Sequence, residues 1–479
     1  MLKILMAASE AEPFAKTGGL ADVLGSLPAA LKRQGADVRV MIPKYDVIPY
    51  ELKKSISHMC YIFIQIGWRN VYCGIEKAEY KGVTYYFIDN EYYFKRGGLY
   101  GYGDDGERFS FFCHAVLEAL PRIDFFPDVI HCHDWQTAMV PVLLETKYRF
   151  KDNYGKISTV FTIHNLHYQG VFGIQSMKDW FSLDDGYFTT DKLEFYGGGS
   201  FLKGGLTYSR AITTVSPTYA EEIRYPYYGE GLDGLLRARH KELYGILNGI
   251  DYDVFNPATD KFLYHTYDMF DLSGKARNKT GLQKELNLPV EEEIPMIGLV
   301  SRLVSQKGLD LVACVLHDIL KDDVQFIILG TGDQYYEWLF KEASYQYPNK
   351  MSANITFDNG LAHKIYAGCD IFLMPSKFEP CGLGQMISLR YGTLPIVRET
   401  GGLKDTVLSY NDETGEGNGF TFTNYNAHDM LYTIRRATAM MKCKTQFDRI
   451  RIAAMSCDFS WQHSAAKYME LYENISRTS

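Results

Sequence analysis

The sequence predicts an α/β protein of two doubly wound domains. Three features of the 479-residue chain carry that prediction. Short apolar strand patterns alternate with helical patterns through the first half, which is the rhythm of parallel βα units. The rhythm restarts from about residue 294. Between the two series lies LNGIDYDVFNPATD at 247–260, rich in Asn, Asp, Gly and Pro, which reads as an inter-domain segment. The length is ample for two separate cores. The expected layout is residues 1–246, residues 247–458 and a terminal helix over 459–479, with the two Rossmann-like domains facing each other across a deep cleft.

The first element is a buried strand in KILMAAS, followed by a loop. LADVLGSLPAALKRQG then reads as a helix, with apolar positions at 20, 23, 24, 27 and 31. DVRVMIP, YIFIQIG, GVTYYFID, DVIHCHD, ISTVFTIH and AITTVS are the further strands of the first half. The short spacings from YIFIQIG to TYYFID predict hairpins, and Glu107–Leu120 and Trp135–Tyr148 predict helices. In the second half IPMIGLVS, VQFIILG, NITF, IFLMPS and LPIVRE are the strands. FSWQHSAAKYMELYENISRTS closes the chain as a helix whose apolar stripe is Trp461, Ala465, Tyr468, Met469 and Tyr472.

Composition narrows the function. A net charge of −8 speaks against a nucleic-acid partner. Nine scattered cysteines with no C-x-x-C pair read as reduced thiols of a cytoplasmic protein. No apolar run has the length of a signal-peptide core or a membrane span, so no membrane partner is expected.

Doubly wound sheets bind ligands beyond the C-terminal ends of their strands, so the chemistry is expected in the cleft. KTGGLADV, residues 16–23, sits where the first strand hands over to the first helix. Two glycines let a ligand approach the backbone, free amides at a helix start attract anions, and Lys16 adds a charge. The same residues also make a tight turn with a solvated lysine, and this stretch alone leaves both readings open. Arg302 and Lys307, in the loop of GLVSRLVSQKGLDLV, make a site for a polyanion such as a diphosphate. If that group leaves, preorganised cations stabilise the growing charge without a divalent ion.

His131, Asp134, His164 and His167 raise the question of a metal. His131 and His133 are read as pointing to opposite sides of their strand, a poor ligand pair, and His164 and His167 lack further ligands at zinc spacing. No metal and no cofactor are expected; His and Asp read as hydrogen-bonding groups for a hydroxyl-rich ligand, with His131 a satisfied core residue. LGTGDQYY at 329–336 lacks the third glycine of a dinucleotide fingerprint, and Asp251-Tyr252-Asp253 is explained as well by a turn as by a metal site. In MPSKFEPCGLGQ, Glu379 follows a strand and Cys381-Gly382-Leu383 opens a helix. RETGGLKDTV then repeats the Thr-Gly-Gly-Leu of the first motif.

These motifs, with HCHDWQTA, FTIHNLHYQGVF, TTVSPTYAEEI and LNGID, resemble the bacterial glycogen synthases and plant starch synthases along nearly the whole chain. The resemblance implies the GT-B architecture and retaining transfer of glucose from ADP-glucose to the non-reducing end of an α-1,4-glucan. The first domain then takes the acceptor, the second binds the nucleotide sugar, and the terminal helix crosses back to the first. Lys16, Gly18 and Gly19 look like donor-binding residues, and Arg302 and Lys307 like the diphosphate pair. Asp22, Asp134, His164 and Asn248 match polar cleft residues. Glu379, Cys381, Gly382 and Leu383 match the loop around the transferred glucose, and Gly402 and Leu403 the last donor-site turn. Attack on the front face of the sugar is implied, with Glu379 orienting rather than attacking. The chain departs from the family pattern twice. Ile387 stands where the wider superfamily often has a second glutamate in E-x7-E spacing, and Phe357 stands where close relatives place a Tyr near the adenine. A UDP-glucose-using enzyme of the same fold and a non-catalytic glucan-binding relative are the alternatives.

Overall fold

A computed structural model describes residues 1–477. Thr478 and Ser479, the end of the expected terminal helix, lie outside the described residues. The chain divides into two compact units, Met1–Gly249 with the chain from Trp461 onward, and Ile250–Ser460.

The first unit is built on a nine-stranded sheet in the order Leu243–Gly245, Ala211–Thr214, Ser158–Ile163, Val129–His133, Lys3–Ala7, Asp37–Pro43, Val83–Asp89, Arg69–Tyr80, Ser57–Ile66. The first seven strands are parallel, and the last two return as antiparallel hairpins. The central strands are buried on both faces, which is why they read as unbroken apolar runs. Lys3–Ala7 pairs with Asp37–Pro43 on one side and Val129–His133 on the other. Strand order reverses there, and such a switch point opens a crevice at the carboxyl ends of the strands.

The helix Gly19–Arg33 follows the first strand and buries Leu20, Val23, Leu24, Leu27 and Leu31. Each such side chain is worth roughly 1.5–3 kcal/mol relative to exposure. Pro28 lies inside this helix and cannot donate to the Leu24 carbonyl. Tyr85 Oη donates to that carbonyl instead, at 2.9 Å, so the interior proline leaves no orphan. The single helix expected over Trp135–Tyr148 is broken into a 3₁₀ turn at Trp135–Thr137, an α-helix at Met139–Leu143 and a wider π turn at Leu144–Tyr148. Pro141 removes one ladder bond from this stretch.

The terminal helix Trp461–Arg477 packs on helix Gly19–Arg33. Ser464 Oγ donates to the Leu247 carbonyl at 2.6 Å, and Gln34 Nε2 to the Gln462 carbonyl at 3.0 Å. Its buried face is Trp461, Ala465, Tyr468 and Tyr472 with Leu471 and Ile475; Met469, expected in the stripe, sits at the margin.

The second unit has a six-stranded parallel sheet in the order Met351–Asn354, Gln325–Leu329, Met296–Val300, Ile371–Met374, Leu394–Arg398, Phe420–Phe422. Its switch point lies between Met296–Val300 and Ile371–Met374. The strand expected at NITF lies instead at Met351–Asn354, because the partner ladder ends at Leu329 and leaves Ile355–Phe357 nothing to pair with. Residues after Ile250 fold onto this unit: Asp260 Oδ2 accepts from Tyr391 Oη at 2.5 Å and lies 2.6 Å from His363 Nδ1. Asp251 Oδ1 accepts the Asp253 amide at 2.9 Å, so the D-x-D is a turn. Among the described residues no helix is long and apolar enough to cross a membrane.

Candidate active site

In the first unit the polar groups gather at the carboxyl edge of the switch point. Lys16 Nζ lies 2.6 Å from Asp22 Oδ1, a carboxylate in the first turn of the helix that follows. Burial raises the Asp22 carboxyl above its ordinary value, and Lys16 pulls it back down. The turn between them is shaped by a residue that the sequence reading passed over. Glu10 is buried, and its Oε2 accepts from the Thr17 amide and, at 3.4 Å, from the Gly18 amide; Thr17 Oγ1 donates to it as well. Tyr100 Oη donates to Glu10 Oε1 at 3.1 Å. Burial is the largest influence on Glu10 and raises its carboxyl, against the lowering by these donors. An acidic residue just past the first strand, in SEAEPF, was the available signal.

The glycines of the two Thr-Gly-Gly-Leu motifs are there for different reasons. A Cβ built on Gly18 or Gly19 meets nothing within 4 Å, so the chain itself does not require a glycine at either place. The open face suits a ligand. A Cβ on Gly401, where φ is +45°, would come 2.0 Å from the Glu379 carbonyl oxygen, and one on Gly402 2.1 Å from that of Cys381. The Gly402 amide donates to the Glu379 carbonyl at 3.2 Å. The second motif therefore seats the loop that carries Glu379, and the buried Leu403 anchors it.

Asp134 and His164 follow adjacent strands and meet: the His164 amide donates to Asp134 Oδ1 at 2.8 Å. Asp134 has φ +56° and ψ 178°, a conformation almost confined to glycine, and such strain persists where the surroundings impose it. Burial pushes its carboxyl up to about 7, despite the His164 amide, and the charge of Glu10 adds to the rise. His131 and His133 do not point to opposite sides. Alternate residues of a strand share a face, and the two rings lie side by side, tilted by 34°, with centroids 4.0 Å apart. His133 Nδ1 lies 3.0 Å from His164 Nε2, and His131 Nδ1 2.7 Å from Tyr472 Oη of the terminal helix. Burial lowers all three imidazoles, His131 and His164 to about 3, so they are neutral at physiological pH. Asn248 is buried, with its Oδ1 unpaired.

In the second unit Arg302 and Lys307 follow Met296–Val300, and Glu379 follows Ile371–Met374. Lys307 Nζ donates to Glu379 Oε2 at 2.6 Å, and Ser376 Oγ donates to the same oxygen at 3.0 Å. Arg302 is exposed and has no ion-pair partner among the described residues. The two loops are stitched by the Lys377 amide on the Gln306 carbonyl at 2.9 Å. Gly308, at φ +72°, packs so closely that a Cβ would lie 2.0 Å from the Pro375 carbonyl oxygen. Arg398 donates to the Ser376 carbonyl at 2.9 Å and to the Lys377 carbonyl, propping the Glu379 loop from below. Gly382 has φ +71°, and its missing side chain leaves room for Gln385 and the Glu379 stem. Cys381 is buried, Leu383 partly so, and Ile387 turns into the core. Phe357 is 90% exposed and its ring is open to stacking.

Residues 3–238 match the starch synthase catalytic domain family, and residues 283–449 match glycosyl transferases group 1. The chain is 58% identical over 476 residues to a glycogen synthase of Clostridium acetobutylicum, covering 99% of this chain and 100% of that one. The chain belongs to the glycogen synthase and starch synthase family. A glycogen synthase of Anoxybacillus flavithermus is 56% identical over 474 residues, 99% of this chain and 98% of that one. Among solved structures, the catalytic domain of Arabidopsis thaliana starch synthase IV, bound to ADP and acarbose, superposes with a TM-score of 0.93 at 36% identity and 99% coverage of both chains. A sucrose-phosphate synthase of Thermosynechococcus elongatus shares the fold alone, with a TM-score of 0.64 at 16% identity over the full length of both. This member of the family is thus a glycosyltransferase of GT-B fold, with its polar residues at the two switch points.

Proposed function

We propose that this chain is a cytoplasmic glycogen synthase that transfers glucose from ADP-glucose to the non-reducing end of an α-1,4-glucan, with retention of configuration and without a metal ion. The observation that carries the reading is the Lys307–Glu379 contact beside the exposed Arg302, at the switch point of the second sheet. Arg302 and Lys307 receive the diphosphate, and their attraction strengthens as charge builds on it. Glu379 orients the sugar hydroxyls; Cys381, Gly382 and Leu383 shape the space around the glucose. Gly402 and Leu403 hold that loop in place. Phe357 stacks on the base.

In the first unit Lys16 supplies a further cation. Gly18 and Gly19 give the ligand room, and Asp22 keeps Lys16 in position. The neutral His164, held by Asp134, hydrogen-bonds the sugar, and Asn248 offers its unpaired oxygen to a hydroxyl. In the step itself the bond from C1 to the diphosphate oxygen breaks while the acceptor 4-hydroxyl oxygen bonds C1 on the same face. The hydroxyl proton passes to the departing phosphate oxygen. The nine free thiols suit a reducing compartment.

A donor competition tests this. ADP-glucose and UDP-glucose are offered together with one malto-oligosaccharide, and nucleotide release and product anomer are followed. Faster release of ADP with an α-linked product is expected. Glucan-independent hydrolysis, or release of neither nucleotide, overturns the reading, and preference for UDP corrects the donor.

A further inference from the structure

The segment after residue 95 has little order of its own, with four glycines in Arg96–Gly103, yet it is folded around a buried cation that the reaction above does not use. Arg108 is 0% exposed. Its Nη1 donates to the Leu99 carbonyl at 2.9 Å and to Asp105 Oδ1 at 2.8 Å. Its Nε and Nη2 are buried with no hydrogen-bond partner. The guanidinium carbon lies 4.9 Å from the ring centroid of Phe109, 5.2 Å from those of Phe94 and Tyr102, and 6.0 Å from that of Tyr45. Aromatic faces offset part of the cost of burying a charge so sparsely paired. An aliphatic side chain would fill the cage without that cost, so packing alone does not account for an arginine here.

The two anchors of Nη1 bracket one residue. Leu99 is held directly, and Asp105 Oδ2 accepts the Gly101 amide at 2.8 Å. Between them Tyr100 Oη lies 2.6 Å from Ser9 Oγ and donates to Glu10. Glu10 in turn accepts the Thr17 and Gly18 amides. We infer that Arg108 is a positioning residue for the transfer reaction: it fixes Tyr100 from both sides, Tyr100 fixes Glu10, and Glu10 sets the turn that presents Lys16 and the open face of Gly18 and Gly19. The inference rests on reading that turn as part of the donor site.

The test is a mutant cycle in the full chain, with ADP-glucose and a malto-oligosaccharide as substrates. Tyr100→Phe removes only the hydroxyl that reaches Glu10, and Arg108→Met removes the cation while filling the cage. Each is expected to raise the KM for ADP-glucose about tenfold, the scale of one hydrogen bond to a charged acceptor, with kcat changed less. Because both act through one contact, the double variant should be no worse than the poorer single. Arg108→Lys, which keeps a charged donor near Leu99 and Asp105, should recover most of the loss. Losses that multiply to about a hundredfold in the double variant would overturn the inference, as would a lowered Tm in Arg108→Met with an unchanged KM. If Arg108→Met does not fold, Arg108→Gln, which removes the charge but keeps a polar end, takes its place in the cycle with Tyr100→Phe. Failure of the functional reading is seen separately, as absent transfer by the wild-type protein.

Discussion

Lys307 Nζ sits 2.6 Å from Glu379 Oε2, and Ser376 Oγ shares that oxygen, while Oε1 makes no hydrogen bond within the described chain. One oxygen is spent on position and the other is left for a ligand. Glu379→Gln can keep both donors on its amide oxygen, so Tm should change little while kcat falls more than tenfold. Glu379→Ala leaves Lys307 without its partner. Breaking a buried pair costs about 3–5 kcal/mol, and the partial exposure of Lys307 places the loss toward or below the lower end. Denaturant titration beside steady-state kinetics separates the two variants.

The two glycine pairs give opposite predictions. Gly18→Ala and Gly19→Ala meet only open space, so stability should stay within about 0.5 kcal/mol or rise slightly at Gly19, where the helix begins. Activity should fall, because the new methyl occupies the ligand face. Gly402→Ala forces the Cys381 carbonyl aside and should cost at least about 1–3 kcal/mol. Equal destabilisation by Gly18→Ala and Gly402→Ala would contradict the account.

Asp134 links backbone strain to pH. At φ +56° and ψ 178°, glycine relieves a strain of about 1–3 kcal/mol, so Asp134→Gly should be more stable than Asp134→Ala, both with impaired transfer. Its carboxyl titrates near 7 when folded against an ordinary 3.8, so between those values the folded state holds the extra proton. Its contribution to stability is therefore full below about 4 and lost as pH rises through 7. The stability of wild type relative to Asp134→Asn should decline across that window. His131 and His164 act in the other direction. Held near 3 against an ordinary 6.5, they contribute stability that is lost as pH falls below 6.5. Urea unfolding at a series of pH values reads both slopes.

The terminal helix places Tyr472 on His131 and Ser464 on Leu247. Tyr472→Ala should cost about 3–5 kcal/mol, as for other large buried aromatics, and removal of the chain from Trp461 should unfold the first unit. Limited proteolysis that left residues 1–249 of the truncated chain intact would contradict this.

The parallel strands and the switch-point motifs were legible because strands buried on both faces write continuous apolar runs, and because Lys16, Arg302, Lys307 and Glu379 lie in the loops that follow such runs. The strand at Met351–Asn354 was not legible, since its partner's length decides where it ends. Nor was the division of labour between the two glycine pairs, which depends on what lies opposite each Cα. Glu10, Arg398 and Arg108 escaped for a similar reason. Their partners lie across loops, and a single charged residue in a sequence does not say whether water or a backbone amide faces it. His131 and His133 share a face because a strand has a two-residue period, so the expectation of opposite sides had the wrong parity.

In the proposed reaction Arg302 and Lys307 carry the charge of the departing diphosphate. The direct measurement is glucosyl transfer from ADP-glucose to a malto-oligosaccharide in excess EDTA, with kcat and KM determined for wild type, Arg302→Ala and Lys307→Ala. Wild type should retain full activity, and each variant should lose about 2.7–4 kcal/mol of transition-state stabilisation, seen mainly in kcat. Loss of wild-type activity that magnesium or manganese restores, or variants that raise KM alone, would contradict it.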